Sequence, residues 1–157
     1  MLHRLIWASH LARGAEPELA PMLQDILVSS LRNNPRHRVT GLLVAHDGWF
    51  LQALEGPPEG VGAVFEKILL DDRHTTPVVL ERGAVETRAF GAWIMCARAL
   101  AGRDVAILAR MGLAQGFDPA LQPLRPVLPL LLAVAREHAE TLSAQHEHLT
   151  TGLSFAA

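Results

Sequence analysis

Asp47-Gly48 sits between two apolar runs, Val39 to Ala45 and Trp49 to Leu54, and this arrangement constrains the fold more than any other local feature. Asp and Gly both tolerate positive φ, so a two-residue loop made of them is predicted to close the runs into an antiparallel hairpin. A different period flanks the hairpin. Before it, Leu19, Met22, Leu23, Ile26 and Leu27 recur at i, i+3, i+4, i+7 and i+8; after it, Val61, Val64, Phe65, Ile68 and Leu69 do much the same. That spacing predicts an amphipathic helix on each side. Pro17 can open the first helix, Ser30 continues its apolar face, and Asn33-Asn34-Pro35 ends it.

Residues 2–9, with Leu5, Ile6 and Trp7, read as a largely buried first strand. The polar run Asp71-Asp72-Arg73-His74 is expected to end the second helix. Val78 to Leu80 and Ala92 to Ala97 then supply two short strands. The order βαββαββ predicts an α+β, ferredoxin-like two-layer sheet with both helices on one face. The other face needs a cover. Asp104 to Met111 reads as a short helix, Pro119, Pro123 and Pro126 break the chain, and Leu128 to about His148 reads as one longer helix. That helix is apolar almost all round at its start, which implies burial against the sheet or a second subunit, so a homo-oligomer is expected. The chain thus divides into a sheet domain, 1–97, and a C-terminal helical extension, 98–157.

The composition narrows the function. With 157 residues, 50% of them hydrophobic and 19% charged, the chain can bury one core. A net charge of -2 without a dense Lys/Arg cluster argues against nucleic acid. No apolar run is long enough to span a membrane and the start lacks an adequate signal-peptide core, so a cytoplasmic protein is expected. Cys96 is the one cysteine, which excludes an internal disulfide; it is expected to be buried and inert. The eight histidines prompt a search for metal ligands. His146-Glu147-His148 spaces its imidazoles about 200° apart on a helix, so it reads as a solvated helix end and no metal is expected. Neither a phosphate-binding glycine loop nor a nucleophile elbow is present, and the chain is not expected to be an enzyme.

Taken singly, Gln52 reads as a polar residue on a half-exposed strand and Asn34 as a helix cap. Their setting is more specific. Ser30 and Asn34 at the first helix end, Val39-Thr40-Gly41, Phe50-Leu51-Gln52-Ala53-Leu54-Glu55-Gly56, Asp71-x-Arg73-His74 and Arg88-x-Phe90-x-x-Trp93-x-Met95 follow in order. Together they resemble the BLUF family of flavin-binding blue-light sensors over roughly residues 1–97. The resemblance implies bound FAD, with FMN or riboflavin as alternatives, held between the two helices. It assigns cofactor contacts to Ser30, Asn33, Asn34, Gln52, Lys67, Asp71, Arg73 and His74. It also assigns signalling to Gln52 with Trp93 and Met95, which at i, i+2 would share one strand face, and a downstream protein partner to the tail. The amides of Asn34 and Gln52 suit a flavin edge because each both donates and accepts.

The chain departs from the family at its photochemical residue. The pattern L-x-x-L-x-Y-x-S becomes Leu2-His3-Arg4-Leu5-Ile6-Trp7-Ala8-Ser9, and the sequence has no tyrosine at all. A phenol donates and accepts hydrogen bonds; an indole only donates. The resemblance therefore implies a BLUF-type photoreceptor in which Trp7 leaves the usual photocycle absent or altered. The alternative is a light-insensitive interaction module without flavin. A third reading, an acylphosphatase-like hydrolase using Arg13 and an Asn, rests on fold analogy alone.

Overall fold

In a computed structural model of the protein, residues 1–12, 14, 18–113, 116, 118 and 127–155 are described, without the side chains of 153–155. The roles expected of Arg13, Pro17, Pro119, Pro123 and Pro126 lie outside these residues. Strand β1 (Leu2–Leu11) is followed by helix α1 (Leu19–Asn33), a 3-10 turn (Asn34–His37), and the hairpin β2 (Thr40–His46) and β3 (Trp49–Gly56). Helix α2 (Pro58–Leu69) then leads to β4 (His74–Val85) and β5 (Cys96–Ala99). Three tail helices follow: α3 (Asp104–Arg110), α4 (Leu128–Glu137) and α5 (Ala139–Phe155). The strands form one sheet in the order β4-β1-β3-β2-β5, antiparallel except for the β2–β5 pair.

The hairpin closes as its turn residues require. Asp47 and Gly48 both take positive φ, 49° and 77°, and His46 pairs with Trp49 across them. Every residue of β3 is buried, which is why its sequence lacks a polar face. Its side chains still alternate between two cores. Phe50 and Leu54 pack with Leu23 and Leu27 of α1 and Val61, Val64 and Phe65 of α2. Leu51 and Ala53 pack on the opposite face with Ile107 and Leu108 of α3, Leu130, Leu131 and Val134 of α4, and Leu142 of α5. The tail is therefore the second cover of the sheet. At the β5 edge α5 passes from one core to the other, since Leu142 belongs to the tail side and Leu149 packs against the α1–α2 side.

Three expected boundaries change. The fourth strand starts at His74, not Val78, because antiparallel pairing with β1 continues through two irregularities to Leu11 opposite His74. Most of β4 is exposed on both faces, so its sequence carries little hydrophobic alternation. The fifth strand starts at Cys96, not Ala92; the preceding stretch turns, with the Trp93 N–H donating to the Phe90 carbonyl. The predicted single helix from Leu128 is two helices broken at His138. Its buried imidazole is drawn to Asp104, whose carboxylate also accepts Arg98 Nε at 3.1 Å and the Ala101 N–H at 3.0 Å. Burial opposes the Asp104 charge, but these donors and the nearby Arg98 and His138 outweigh it and lower the carboxyl pKa.

Gly41 shows how closely the hairpin is packed. A Cβ there would lie 2.1 Å from the Ala53 carbonyl oxygen, whereas one on Gly62 in α2 meets nothing within 4 Å. Gly41→Ala is thus expected to destabilise the fold by about 2 kcal/mol or more, by forcing strand backbones apart. Gly62→Ala should stabilise it by about 0.5–1 kcal/mol. Urea unfolding midpoints of the two variants check both signs.

Candidate functional site

A cleft of about 780 Å³, counting its open mouth, lies between α1 and α2 above the sheet. Its floor is Trp7 of β1, Leu43 of β2, and Phe50 and Gln52 of β3. One wall is Ile26, Ser29, Ser30 and Asn33 of α1, with Asn34 at its end; the other is Val64, Lys67 and Ile68 of α2, continued by Asp71, Arg73 and His74. Apolar surface from Trp7, Leu43, Phe50, Ile26, Val64 and Ile68 combined with convergent polar groups suits a small-molecule site.

The floor carries a directed pair of hydrogen bonds. Trp7 Nε1 donates to Gln52 Oε1 at 3.0 Å, and Gln52 Nε2 contacts Met95 Sδ at 3.4 Å as a weak donor. Trp7 and Gln52 face each other across the β1–β3 ladder, and both are buried. Gln52 is therefore not the solvated strand residue that it resembles in isolation. The Trp7 ring also lies 5.9 Å from the Phe65 ring and 5.3 Å from that of His74.

At the cleft's far end, Arg73 Nε lies 2.8 Å from Asp71 Oδ1, and the Arg73 N–H donates to the same oxygen at 3.0 Å. Burial works to raise the Asp71 pKa, but the bonds and charge of Arg73, helped by His74, hold it below its usual 3.8. His74 opens β4 instead of closing α2. Its Nε2 donates to the Ile68 carbonyl at 2.7 Å, which in the neutral ring makes Nδ1 the acceptor. That Nδ1 is buried without a partner, as is Ser9 Oγ. Asn34 acts as the α1 cap, its N–H bonded to the Ser30 carbonyl, while its side chain donates to the Ile94 carbonyl at 3.4 Å. Asn33 Nδ2 reaches Ser29 Oγ at 3.4 Å.

Trp93 and Met95 do not share a face. Regular strand begins only at Cys96, so alternation does not extend back to Trp93. Met95 packs in the α1–α2 core, whereas Trp93 packs in the tail core and donates from Nε1 to Ser143 Oγ of α5 at 3.2 Å. Neither residue lines the cleft, and Met95 meets it through Gln52. Cys96 is buried on Trp93's side, and burial pushes its thiol up to about 12. His146 is not a solvated helix end either; it accepts the Ile94 N–H at 3.1 Å. Among the described residues, no group of three His, Cys, Asp or Glu side chains could hold a metal ion, and no helix is long and apolar enough to cross a membrane.

Sequence reasoning missed the parts that fix the 88–95 segment. The fully buried Glu55 carboxylate accepts Arg4 Nε at 2.7 Å and the N–H groups of Ala89 and Phe90 at 3.0 and 2.9 Å. Arg88 donates to Thr40 Oγ1 and to the Glu55 and Arg38 carbonyls at 2.8, 2.6 and 2.6 Å. Glu55, Thr40 and Arg88 all stand in the motifs, but apart from the Arg4–Glu55 and Arg88–Thr40 contacts their partners are backbone groups, which no residue pattern marks.

Residues 2–96 match the family model described as BLUF, sensors of blue-light using FAD. The chain belongs to the BLUF family, whose fold it has and whose members bind flavin and sense blue light. It is 35% identical over 91 residues to the blue light- and temperature-regulated antirepressor BluF of Escherichia coli (strain K12), covering 58% of this chain and 22% of that protein. To the photoactivated adenylate cyclase subunit beta of Euglena longa it is 30% identical over 84 residues, 54% of this chain and 10% of that protein. The chain therefore matches only a minor part of these relatives' length. The solved structure of BlsA in its photo-activated state superposes with a TM-score of 0.72 at 31% identity, covering 84% of this chain and 95% of that one. The dark-state structure of BlrB, a BLUF protein, shares the fold at 24% identity and a TM-score of 0.58, covering 98% and 96% of the two chains.

The Asp71–Arg73 pair gives a direct test of the cleft's electrostatics. Because the Asp71 pKa is lowered, the pair's contribution to stability is present above the ordinary carboxyl value and lost as pH falls through the lowered one. Arg73→Met is expected to move the Asp71 titration upward, as followed by carboxyl carbon NMR shifts.

Proposed function

We propose that this protein is a BLUF-type flavin-binding blue-light sensor whose ordinary photocycle is absent or altered by Trp7. The hydrogen bond from Trp7 Nε1 to Gln52 Oε1 carries this reading. A phenol at this position could accept from the Gln52 NH₂ or donate to its oxygen, so either amide orientation would be satisfied. The indole N–H only donates. It holds the Gln52 oxygen toward residue 7 and the NH₂ toward Met95, and the flipped amide would face donor to donor. An unmade buried hydrogen bond costs about 1–3 kcal/mol, which suppresses the flipped form roughly 5- to 150-fold. Trp7 therefore removes both the phenolic proton and the freedom of the glutamine.

The cleft suits a flavin. A bound flavin supplies blue-light absorption and an oxidising excited state. Ser30, Asn33 and Asn34 offer hydroxyl and amide groups for a ring edge that both donates and accepts, and the unpartnered His74 Nδ1 offers an acceptor. Asp71, Arg73 and His74 lie on the side assigned to the ribityl chain, and Lys67 supplies a cation for a phosphate. FAD is the proposed ligand, with FMN or riboflavin as alternatives. Residues 1–97 form the proposed sensing unit, and the tail, 98–157, carries the signal to a second copy or a downstream protein partner in the cytoplasm, without catalysis by this chain.

A second reading, a light-insensitive interaction module without flavin, draws support from Trp7 itself, whose ring packs beside Phe65 and His74 inside the cleft. Absorption spectra before and after blue light separate the two. The first expects yellow protein without the family's reversible red shift, and Trp7→Tyr should restore that shift. Colourless protein after flavin is supplied sinks the binding claim; a red shift in the unaltered protein sinks the claim about Trp7. His74→Ala should weaken FAD about three- to tenfold in a fluorescence titration, the loss of one neutral hydrogen bond.

A further inference from the structure

Ile94 is held from both sides of the sheet edge. Its carbonyl accepts from Asn34 of the cleft at 3.4 Å, and its N–H donates to His146 of α5 at 3.1 Å. The same stretch of α5 makes several other bonds: Ser143 accepts Trp93 Nε1, the Leu142 carbonyl accepts Cys96 Sγ, and the Gln145 amide pairs with both the N–H and the carbonyl of Ala97. His146 is the member of this seam that changes charge near neutral pH.

A ring nitrogen accepts an N–H only through its lone pair, so the contact with Ile94 requires an unprotonated Nε2. We propose that His146 is a positioning residue that latches α5 to the Ile94 peptide while its ring is neutral and releases it on protonation, in register with Asn34 on the cleft side. The cleft's identity as a flavin site bears only on what the latch would report, through Asn34, and not on the latch itself.

The surroundings favour the neutral ring. Burial holds the His146 pKa below its ordinary 6.5, and no neighbouring charge contributes to the shift. The facing segment, Phe90 to Met95, has no titratable side chain. On β5, Cys96 keeps its proton up to about 12 and Arg98 is bonded to Asp104. On α4, Arg136 and Glu137 are exposed, and His138 at its end is bonded to Asp104; Glu140, Glu147 and His148 on α5 and Asp25 and Arg32 on α1 are exposed. Because the folded pKa is depressed, the latch contributes fully above the unfolded value near 6.5 and is lost as pH falls through the lower folded value.

The test is amide hydrogen exchange across residues 90–97 between pH 8 and 5 (about the range over which a histidine titrates), corrected for intrinsic rates, with His146 followed by imidazole NMR. Protection of the Ile94 amide is expected to fall about fivefold as His146 protonates, the ratio expected for one hydrogen bond. His146→Gln, whose amide oxygen accepts without titrating, should keep protection at low pH, and His146→Ala should lose it at every pH. Asn34→Ala should move the His146 midpoint. Protection that ignores the His146 titration, or an identical pH profile in His146→Gln, overturns the latch; an unmoved midpoint in Asn34→Ala overturns its link to the cleft. None of these measurements needs flavin, so failure here and failure to bind flavin are separate results.

Discussion

A sheet with two apolar faces cannot leave either one in water, and most of this molecule follows from that constraint. Side chains along β3 alternate between the cores, with Phe50, Gln52 and Leu54 facing α1 and α2 while Leu51 and Ala53 face the tail. The cleft and the tail helices are thus separated by one layer of backbone. A change in the cleft floor need travel only through the edge of that layer to reach α5, and the segment before β5 is where the two sides meet.

The polarity of the floor is set by the simplest property of the indole. Trp7 gives a hydrogen, Gln52 receives it and presents its own NH₂ to Met95, a weak acceptor. The sequence of donors runs one way, from β1 to the stretch before β5. Glu55 and Arg88 brace that stretch through backbone groups, so Met95 and Trp93 are held on opposite sides of the sheet edge by anchors that do not themselves reach the cleft.

The hairpin, the two amphipathic helices and the two-layer plan were legible in the chain because each depends on local periods or on turn residues. The residues lining the cleft were legible only through motif resemblance, since Gln52 and Asn34 alone suggest a surface strand and a helix cap. What stayed hidden was non-local. β4 is set by pairing with β1, not by its own pattern, so His74 could not be placed on a strand. The break at His138 depends on a carboxylate 34 residues earlier. Trp93 and Met95 were assigned to one face by a strand rule that fails where the backbone turns, and His146 looked solvated because its partner is an amide hydrogen of the main chain.

The Gln145 side chain pairs with the N–H and carbonyl of Ala97 much as a neighbouring strand would. β5 is an outer strand, and an uncovered outer strand is a template for joining another chain. Since α5 is made after the sheet that it seals, a ribosome presents the β5 edge before it presents the cover. During synthesis the growing chain therefore exposes this edge to mispairing until Gln145 has emerged to cover it.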